Sequence, residues 1–235
     1  MITKAGIRVA TWNIHGGVGL DGVRDYSRTL ECLVALEADI IALQEVDSRK
    51  WEASVALFDD FRHRLGLHGV AAHAIRAKDG DYGQLLFSRW PIVHSVEHDI
   101  SYPGCEPRRA IEAFVQTAAG RLRVIATHLG LKRRERGRQV LRLADVVSDS
   151  KCPTVLLGDF NDWSRFQLGT GVLERALPAF TRERTFPSRS PLFRLDRIYC
   201  RPSALLGATR VIKSGWFISD HLPVVADLVP AAISA

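Results

Sequence analysis

Short apolar runs that end in acids, amides or histidines recur along this chain of 235 residues. The first run, from Ile7 to Trp12, alternates and is rich in strand-forming residues, so it predicts a β-strand. Ligands of α/β proteins bind at strand ends, and six polar clusters there are hard to explain as loop decoration. The clusters are Asn13 with His15, Gln44 with Glu45, Thr127 with His128, Asp159 with Asn161, Asp196, and Ser219-Asp220-His221.

Apolar residues at helical spacing predict three helices between the strand-like runs. The first begins near Tyr26, and the others cover Trp51 to Leu65 and Arg133 to Val147. The third carries an arginine stripe, which is either a solvated surface or a patch that tracks phosphates. Its apolar stripe is Val140, Leu141, Ala144 and Val147, and its arginine stripe is Arg134, Arg138 and Arg142.

Strands dominate the remaining runs, and this mixture is typical of an α/β protein with mixed sheets. Gly120 fits a hairpin turn, and the segment 164–193, with its glycines and prolines, predicts a long loop of the kind that often carries function. The predicted strands are 39–43, 69–75, 84–88, 92–100, 110–117, 122–127, 152–157, 195–200, 205–212 and 223–228.

Composition is that of a globular protein, because 46% of the residues are apolar and 25% are charged. These fractions exclude a disordered tail, a collagen-like fibre and a polytopic membrane protein. No apolar run reaches the roughly 18–20 residues that span a bilayer. We find no internal linker, which favours a single domain over residues 1–235.

The formal net charge is +6, and arginine, whose fork matches phosphate oxygens, supplies most of the bases. This charge fits nucleic acid, anionic lipid or small phosphorylated substrates, and it fits a GC-rich genome equally well. Cysteines stand at Cys32, Cys105, Cys152 and Cys200 without zinc-ligand spacing, so free buried thiols are expected. Free thiols and the absence of a signal-peptide core in residues 1–10 predict a cytoplasmic protein. No motif indicates an obligate protein partner.

The residue types at the strand ends suit a hard divalent cation. Mg²⁺ is held by one or two carboxylates and neutralises phosphate oxygens. An aspartate fixes the tautomer of a histidine and stabilises its cation, so His221 with Asp196 is a candidate base. The oxygen donors are the carboxylates of Glu45, Asp159, Asp196 and Asp220 and the amides of Asn13 and Asn161.

Six motifs together resemble the endonuclease/exonuclease/phosphatase family, which has the deoxyribonuclease I-like fold. They follow the family's order from residue 11 to residue 223, and small bacterial members of the family share similar runs. The resemblance implies an α/β four-layer sandwich, with two mixed β-sheets face to face and helices outside. The motifs are Thr11-Trp12-Asn13, Gln44-Glu45-Val46, Thr127-His128-Leu129, Gly158-Asp159-Phe160-Asn161, Leu195-Asp196 and Ser219-Asp220-His221-Leu222-Pro223.

The resemblance also implies phosphoester hydrolysis that depends on Mg²⁺ or Mn²⁺. Glu45 would be the main metal ligand, with Asn13 and Asp220 nearby. Asp159 and Asn161 would position the attacking water and the phosphate. This is the expected metal and water site.

Proton transfer has two candidate bases under the same resemblance. His221, oriented by Asp196, is one, and Asp159 of the Gly-Asp-x-Asn motif is the other. His128 looks like the residue that contacts the phosphate and protonates the leaving group in the deoxyribonuclease I, sphingomyelinase and inositol-phosphatase branches. His15 stands where some relatives carry an acid; its imidazole can still bind a metal or a phosphate, but the loss of a second acidic ligand puts a two-metal site in doubt.

Several residues outside the motifs are candidates for binding substrate. Arg108 and Arg109 match a place where the family often contacts a phosphate, and a surface pair is the alternative. Tyr82 precedes a strand motif and is a candidate contact. Trp163 and Trp216, the latter with Phe217, follow or precede site motifs and are placed to stack on bases or lie against lipid. The other tryptophans, Trp12, Trp51 and Trp90, are expected to pack in the core.

The sequence therefore predicts a metal-dependent phosphodiester hydrolase, and a nuclease that acts on DNA by direct in-line attack of water. The alternative is a phospholipid or sphingomyelin phosphodiesterase, or a small-molecule phosphatase of the same fold. The compact chain lacks an apolar hairpin insertion, and its charge of +6 favours nucleic acid. A catalytically silent binding protein is disfavoured, because every expected polar position is occupied by a polar residue.

Overall fold

The structure is a computed structural model that describes residues 6–49, 57–163 and 170–234. Five α-helices lie in these ranges, at Tyr26–Ala35 (α1), Leu57–Leu65 (α2), Arg133–Ser148 (α3), Gly171–Ala176 (α4) and Ala231–Ser234 (α5). The strands of the same ranges are Ile7–Asn13 (β1), Ile40–Asp47 (β2), His68–Ala77 (β3), Gly80–Ser88 (β4), Ile92–Asp99 (β5), Arg109–Thr117 (β6), Gly120–His128 (β7), Thr154–Asp159 (β8), Ala179–Phe180 (β9), Asp196–Arg201 (β10), Leu206–Val211 (β11) and Val224–Leu228 (β12).

The strands form two mixed sheets, as the family resemblance implies, and each sheet has six strands. Their orders are β11-β12-β1-β2-β4-β3 and β5-β6-β7-β8-β10-β9. Apolar side chains from both sheets, Val9 and Val124 among them, pack face to face in one core. The neighbouring side chains of β1, such as Ala10 and Trp12, point the other way and pack under α1 and α2. Helices α3 and α4 cover the second sheet in the same manner, so the molecule has four layers.

Strand direction brings the predicted polar ends to one edge of the sandwich. Strand β1 is parallel to β2, and β7 is parallel to β8, because α1 and α3 make crossover connections. Strands β12 and β10 are antiparallel to β1 and β8, so they begin where those strands end. Asp196 accordingly lies opposite Asp159 in the register, and His128 pairs with the same Asp159 from the other side.

Four local predictions need correction. The side chain of Leu141 is 50% exposed, and Leu143 fills its place on the buried face of α3. Strand β2 does not stop at Leu43 but continues through a bulge to Asp47. The segment predicted as a loop includes α4 and β9. Cys105 and Cys152 are half-buried rather than buried, although all four cysteines are free.

Trp12 is buried and Trp90 packs against the central core, as expected. The predicted helix from Trp51 is described from Leu57 onward, and Trp51 itself lies outside the described residues. Within the ranges that the structure describes, every helix is too short or too polar to cross a bilayer.

Candidate active site

Asn13, at the end of β1, links the two sheets through its side chain. Its Nδ2 donates to Glu45 Oε1 at 2.9 Å in its own sheet and to Asp159 Oδ2 at 3.0 Å in the opposite sheet. Its Oδ1 accepts the backbone N–H of His15 at 3.0 Å. Asn13 and Asp159 are buried, whereas 27% of the Glu45 side chain is exposed. The amide nitrogen of Asn13, rather than its oxygen, therefore faces both carboxylates.

His221 and Asp196 form the hydrogen-bonded pair that the sequence predicts. His221 Nδ1 lies 2.8 Å from Asp196 Oδ2, and the hydroxyl of Thr185 donates to the same oxygen at 2.5 Å. His221 Nε2 lies 3.9 Å from Asp159 Oδ2. Trp12 Nε1 donates to the backbone oxygen of His221 at 2.9 Å, so a core residue holds the histidine in place. The arrangement fixes one ring nitrogen of His221 and leaves the other near Asp159.

His128 and Asn161 complete the opposite side of the cluster. His128 Nε2 lies 3.6 Å from Asp159 Oδ2 and 3.8 Å from Glu45 Oε1. Asn161 Nδ2 lies 3.3 Å from His128 Nε2 and donates to the backbone oxygen of Leu129 at 2.8 Å. The backbone N–H of Asn161 donates to Asp159 Oδ1 at 2.8 Å. Asn161 thus holds the Nε2 edge of the His128 ring inside the cluster.

Burial and neighbouring charges give these groups very different proton affinities. Burial lowers the pKa of His221, but the carboxylates of Asp196 and Asp159 outweigh it and raise that pKa to about 10. Burial raises the pKa of Asp159, and the charge of Asp196 raises it further. Burial holds the pKa of His128 well below its ordinary value, and the positive charges of Arg108 and His221 lower it more. At neutral pH, His221 keeps its proton and His128 is neutral.

Strained backbone concentrates around the same cluster. Four non-glycine residues in the described ranges have positive φ, and three of them are His15 (50°), Glu45 (56°) and Asn161 (49°). Glu45 lies in the β2 bulge, where the pairing register with β4 shifts between Leu43 and Val46. Such conformations persist where surrounding contacts hold them, and they are frequent at functional sites. The strain here turns three polar residues away from regular strand geometry.

The two predicted phosphate-binding arginines lie in different surroundings. Arg108 is buried beside Tyr82, whose hydroxyl is 3.5 Å from Arg108 Nη1, and beside Glu106. Its buried Nε has no hydrogen-bond partner among the residues described. Arg109 Nε pairs with Glu97 of β5 at 3.1 Å, and its Nη1 pairs with a second acid of β5. Arg109 Nε and Nη1 likewise make no hydrogen bond of good geometry, so the two arginines differ in charge: two acids of β5 pair with Arg109, whereas one acid pairs with Arg108, whose charge also acts on His128.

Exposed aromatic residues lie next to the site. Trp163 contacts Phe186 with a centroid separation of 5.1 Å, and Phe186 lies 4.9 Å from the imidazole of His221. Trp216 and Phe217 contact each other at 5.5 Å. All three predicted aromatics, Trp163 included, are partly open to solvent. Of these aromatics, Trp163 is connected through Phe186 to the histidine–aspartate pair.

Asp220 and His15 lie together at the outer side of the cluster. Asp220 Oδ1 is 3.8 Å from His15 Nδ1, and both side chains are partly exposed. The hydroxyl of the preceding Ser219 donates to the backbone oxygen of Asn13 at 2.8 Å. This hydrogen bond ties the loop before β12 to the end of β1.

Sequence patterns did not reveal three neighbours of the site. Thr185 and Phe186, which contact the histidine–aspartate pair, lie in the segment predicted as a loop, where no periodic signal exists. Arg136, on α3, donates to the backbone oxygen of Gly130 at 3.4 Å, and its charge interacts with that of Asp159. Its position on the helix gave no reason to separate it from the surrounding arginines.

The donor set at the site fits a hard divalent cation. The carboxylates of Glu45 and Asp159 converge on one nitrogen of Asn13, so two acids lie close together with Glu45 open to solvent. Carboxylate oxygens in such a position are typical ligands of Mg²⁺ or Mn²⁺. Asp159, Asp196 and His221 also place ligand atoms within 4.8 Å of one another. The 2.8 Å contact between the last two is a hydrogen bond, which favours a proton-transfer role for that pair.

Comparisons with known proteins agree with this fold and motif order. The profile of the endonuclease/exonuclease/phosphatase family matches residues 10–221. The chain is 31% identical to the uncharacterized protein YbhP of Escherichia coli, over 94% of this chain and 95% of the relative. A family structure from Beutenbergia cavernae has a TM-score of 0.77 and 23% identity, over 96% of this chain and 72% of that one.

A mannosyl-6-phosphatase from Bacteroides thetaiotaomicron is similar in fold as well. Its TM-score is 0.76 at 16% identity, over 95% of this chain and 99% of that one. Such low identity indicates a shared fold and leaves the substrates of the two proteins independent. On the profile match and the 31% identity, this chain belongs to the endonuclease/exonuclease/phosphatase family, whose members are phosphoesterases.

Proposed function

We propose that the chain is a divalent-cation-dependent phosphodiester hydrolase that cleaves DNA. The observation that carries the proposal is the position of Asp159 within one cluster. It is 3.0 Å from Asn13, 3.6 Å from His128 Nε2 and 3.9 Å from His221 Nε2. A carboxylate, a protonated imidazole and a neutral imidazole that converge in this way suit the hydrolysis of a phosphoester.

Asp159 accepts the proton of the attacking water in this mechanism. Its raised pKa makes it a stronger base than an ordinary aspartate, and the backbone N–H of Asn161 orients it. The water oxygen attacks phosphorus in line with the departing ester oxygen. The P–O ester bond breaks without a covalent enzyme intermediate.

His221 supplies positive charge and a proton, which changes the role that the sequence suggested for it. Because its pKa is raised, it is protonated before the reaction, and in this proposal it acts as an acid rather than as the base. Its free Nε2 can donate to an oxygen of the phosphate or of the leaving group. Asp196 stabilises the imidazolium, and Thr185 fixes the orientation of that carboxylate.

His128 and Arg108 bind the phosphate in the proposed complex. His128 is neutral, so it serves as a hydrogen-bonding group and is poorly suited to protonate a leaving group. The unpartnered, buried Nε of Arg108 suits a phosphate oxygen. Tyr82 holds the Arg108 guanidinium, and Arg109 contributes little because β5 neutralises it.

Glu45 is the proposed main ligand of the cation, with Asp159 and Asp220 beside it. Mg²⁺ or Mn²⁺ at this place would neutralise a phosphate oxygen and stabilise the negative charge of the leaving oxygen. Asn13 donates to Glu45 and Asp159 and so positions these carboxylates, which replaces its expected role as a ligand. His15 adds no carboxylate near Asp220, which supports a single metal.

DNA is the proposed substrate because the site combines anion-binding groups with exposed aromatics on a basic chain. Trp163 and Trp216 can stack on bases next to the scissile phosphate. The same aromatics support the alternative of a lipid phosphodiesterase, in which they would lie against a membrane surface. The net charge of +6 favours the polyanion.

A hydrolysis panel tests the proposal. Supercoiled DNA, sphingomyelin vesicles, a sugar phosphate and bis-p-nitrophenyl phosphate are incubated with the protein and Mg²⁺. We expect nicking of DNA that chelation abolishes and that Asp159→Asn and His221→Gln reduce by about 10²–10⁴. Asp79→Asn and His94→Gln, at exposed positions outside the cluster, serve as matched controls and should retain activity. Turnover of vesicles or of the sugar phosphate alone would reject DNA as the substrate.

A further inference from the structure

A groove of about 1090 Å³ separates the exposed side of α3 from the loop that joins β5 to β6. Ser101 and Tyr102 line its loop wall, and Arg134, Arg138 and Arg142 line its helix wall. In the part of the chain that the structure describes, no carboxylate lies within the 4.0 Å of an ion pair from these three guanidinium groups. We call this feature the arginine groove.

The charge of the arginine groove is strongly unbalanced. Asp145 is its single acidic lining residue, against the three exposed arginines. The arginines are four residues apart, so they recur about every 6 Å along the helix axis. An inclined row of regularly spaced, unpaired guanidinium groups suits a chain of phosphates better than it suits one isolated phosphate.

Gly137 provides an independent sign that the groove is kept open. It lies inside α3, one turn from its start, and lines the groove, and a Cβ built there would meet no atom within 4 Å. Glycine weakens the middle of a helix, and neither packing nor an unusual φ requires it at this position. Its absent side chain leaves free space between Arg134 and Arg138.

Both walls of the groove lead to the candidate active site. The Ser101 hydroxyl donates to the backbone oxygen of Arg108 at 3.2 Å and accepts the backbone N–H of Arg108 at 3.1 Å. On the other wall, α3 begins at Arg133, shortly after β7 ends at His128. Both walls therefore begin at the edge of the sandwich that carries Arg108 and His128, which is where a bound DNA strand would enter the groove.

We infer that the arginine groove binds the phosphodiester backbone of DNA that extends beyond the scissile phosphate. The inference rests on the proposed nuclease function and adds that the substrate is a polymer. Each arginine neutralises one phosphate, so the groove strengthens binding of long substrates and contributes nothing to a small ester. A DNA substrate therefore contacts the protein well outside the catalytic cluster.

Salt-dependent binding of a labelled 20-base-pair duplex tests the inference. The triple variant Arg134→Gln/Arg138→Gln/Arg142→Gln is compared with Arg62→Gln/Arg64→Gln/Arg121→Gln, all in an Asp159→Asn background that prevents cleavage. The control removes the same charge from α2 and from the end of β7 opposite His128. Each lost phosphate contact lowers the slope of log K against log salt by about 0.9, so the groove variant should lose about 2.7. Between 50 and 200 mM salt, that difference is about forty-fold in relative affinity.

Two further measurements separate this inference from the proposed function. With Asp159 intact, the groove variant should hydrolyse bis-p-nitrophenyl phosphate like the wild type and lose cleavage of DNA as salt rises. Gly137→Leu, which fills the groove without a change of charge, should also weaken DNA binding. If the protein cleaves DNA but both groove variants bind it like the control, the groove inference is wrong and the nuclease proposal stands. If the wild type hydrolyses the small ester but neither binds nor cleaves DNA, the nuclease proposal fails and the inference fails with it.

Discussion

Replacing Asp196 with asparagine tests whether His221 owes its proton to this one carboxylate. Asparagine has nearly the same size and can still accept from the Thr185 hydroxyl. The substitution removes the negative charge whose oxygen lies 2.8 Å from His221 Nδ1. It therefore changes the electrostatics of the site with little change in packing.

The expected shift follows from the separation of the two charges. Unit charges whose centres are about 4 Å apart attract by about 4 kcal/mol at an effective dielectric constant of about 20. One pKa unit equals about 1.36 kcal/mol, so loss of Asp196 should lower the pKa of His221 by about three units. From its value of about 10 in the native protein, it should fall to about 7. The imidazole then loses its proton within the working range of pH.

The electrostatic account predicts in which pH range the variant Asp196→Asn loses activity. Hydrolysis by Asp196→Asn should fall by about thirty-fold at pH 8.5, where only about 3% of His221 still carries its proton, and recover partly at pH 6, where it regains its proton. NMR titration of the histidine nitrogens in metal-free protein gives the pKa directly, and His221→Gln assigns the signal. Asp81→Asn, which removes the acid 3.1 Å from His73, is the control and should not move His221. A titration of His221 that is identical in wild type and Asp196→Asn would refute the electrostatic account.

Four further substitutions should change stability, and each is checked by thermal or denaturant unfolding. Gly158→Ala should lower the free energy of unfolding by about 3 kcal/mol or more, because φ is +151° and the new Cβ would lie 1.9 Å from the backbone oxygen of Thr127. Gly137→Ala, whose Cβ lies in open space, should instead raise the free energy of unfolding by about 0.5–1 kcal/mol. Phe160→Ala should cost about 3–5 kcal/mol and lower the Tm by about 6–20 °C, because the ring is fully buried under α3. Burial raises the pKa of Glu112, but its contacts with Arg123 and His98 outweigh burial and lower it below 4.5. Ionised Glu112 therefore stabilises the folded state fully above pH 4.5, and this stabilisation is lost as the pH falls through the lower pKa of the folded state. The variant Glu112→Gln should be less stable than the wild type at pH 7, and its stability should fall less steeply in acid.

Local sequence patterns predicted the strands and their polar ends well, because both depend on neighbours along the chain. What they could not provide was the partner of each side chain across the sheet. Arg109 and Arg108 are adjacent in sequence, yet the register of β5 supplies acids to Arg109 alone. Thr185 lies in a segment without periodicity, and only the fold brings it to Asp196.

Proton affinities were equally beyond the reach of the sequence. Histidine beside aspartate suggested a base at His221, but the number of acids around it decides its protonation. Asp159 belongs to the opposite sheet, and it comes close to His221 only because the two sheets pack together, which no local sequence pattern indicates. The bulge at Glu45 is similar, since the apolar run ends at Leu43 while hydrogen bonding to β4 carries the strand further.

The two sheets have the same arrangement of strands, which explains why the candidate site residues lie at one edge of the sandwich. In each sheet a parallel pair joined by a crossover helix lies at the centre, and its flanking strands run antiparallel: β1 and β2 correspond to β7 and β8. Asn13 therefore ends β1 and His128 ends its counterpart β7. Glu45 lies in β2, and Asp159 ends its counterpart β8. Because β1 faces β8 and β10 across the core, the four ends meet at one place. Strand β12, which pairs with β1, comes from the far end of the chain, so the first sheet and the His221 loop are completed only when the last strand is added. A fragment that ends before Ser219 should therefore lack both the strand that pairs with β1 and the imidazolium that faces Asp159.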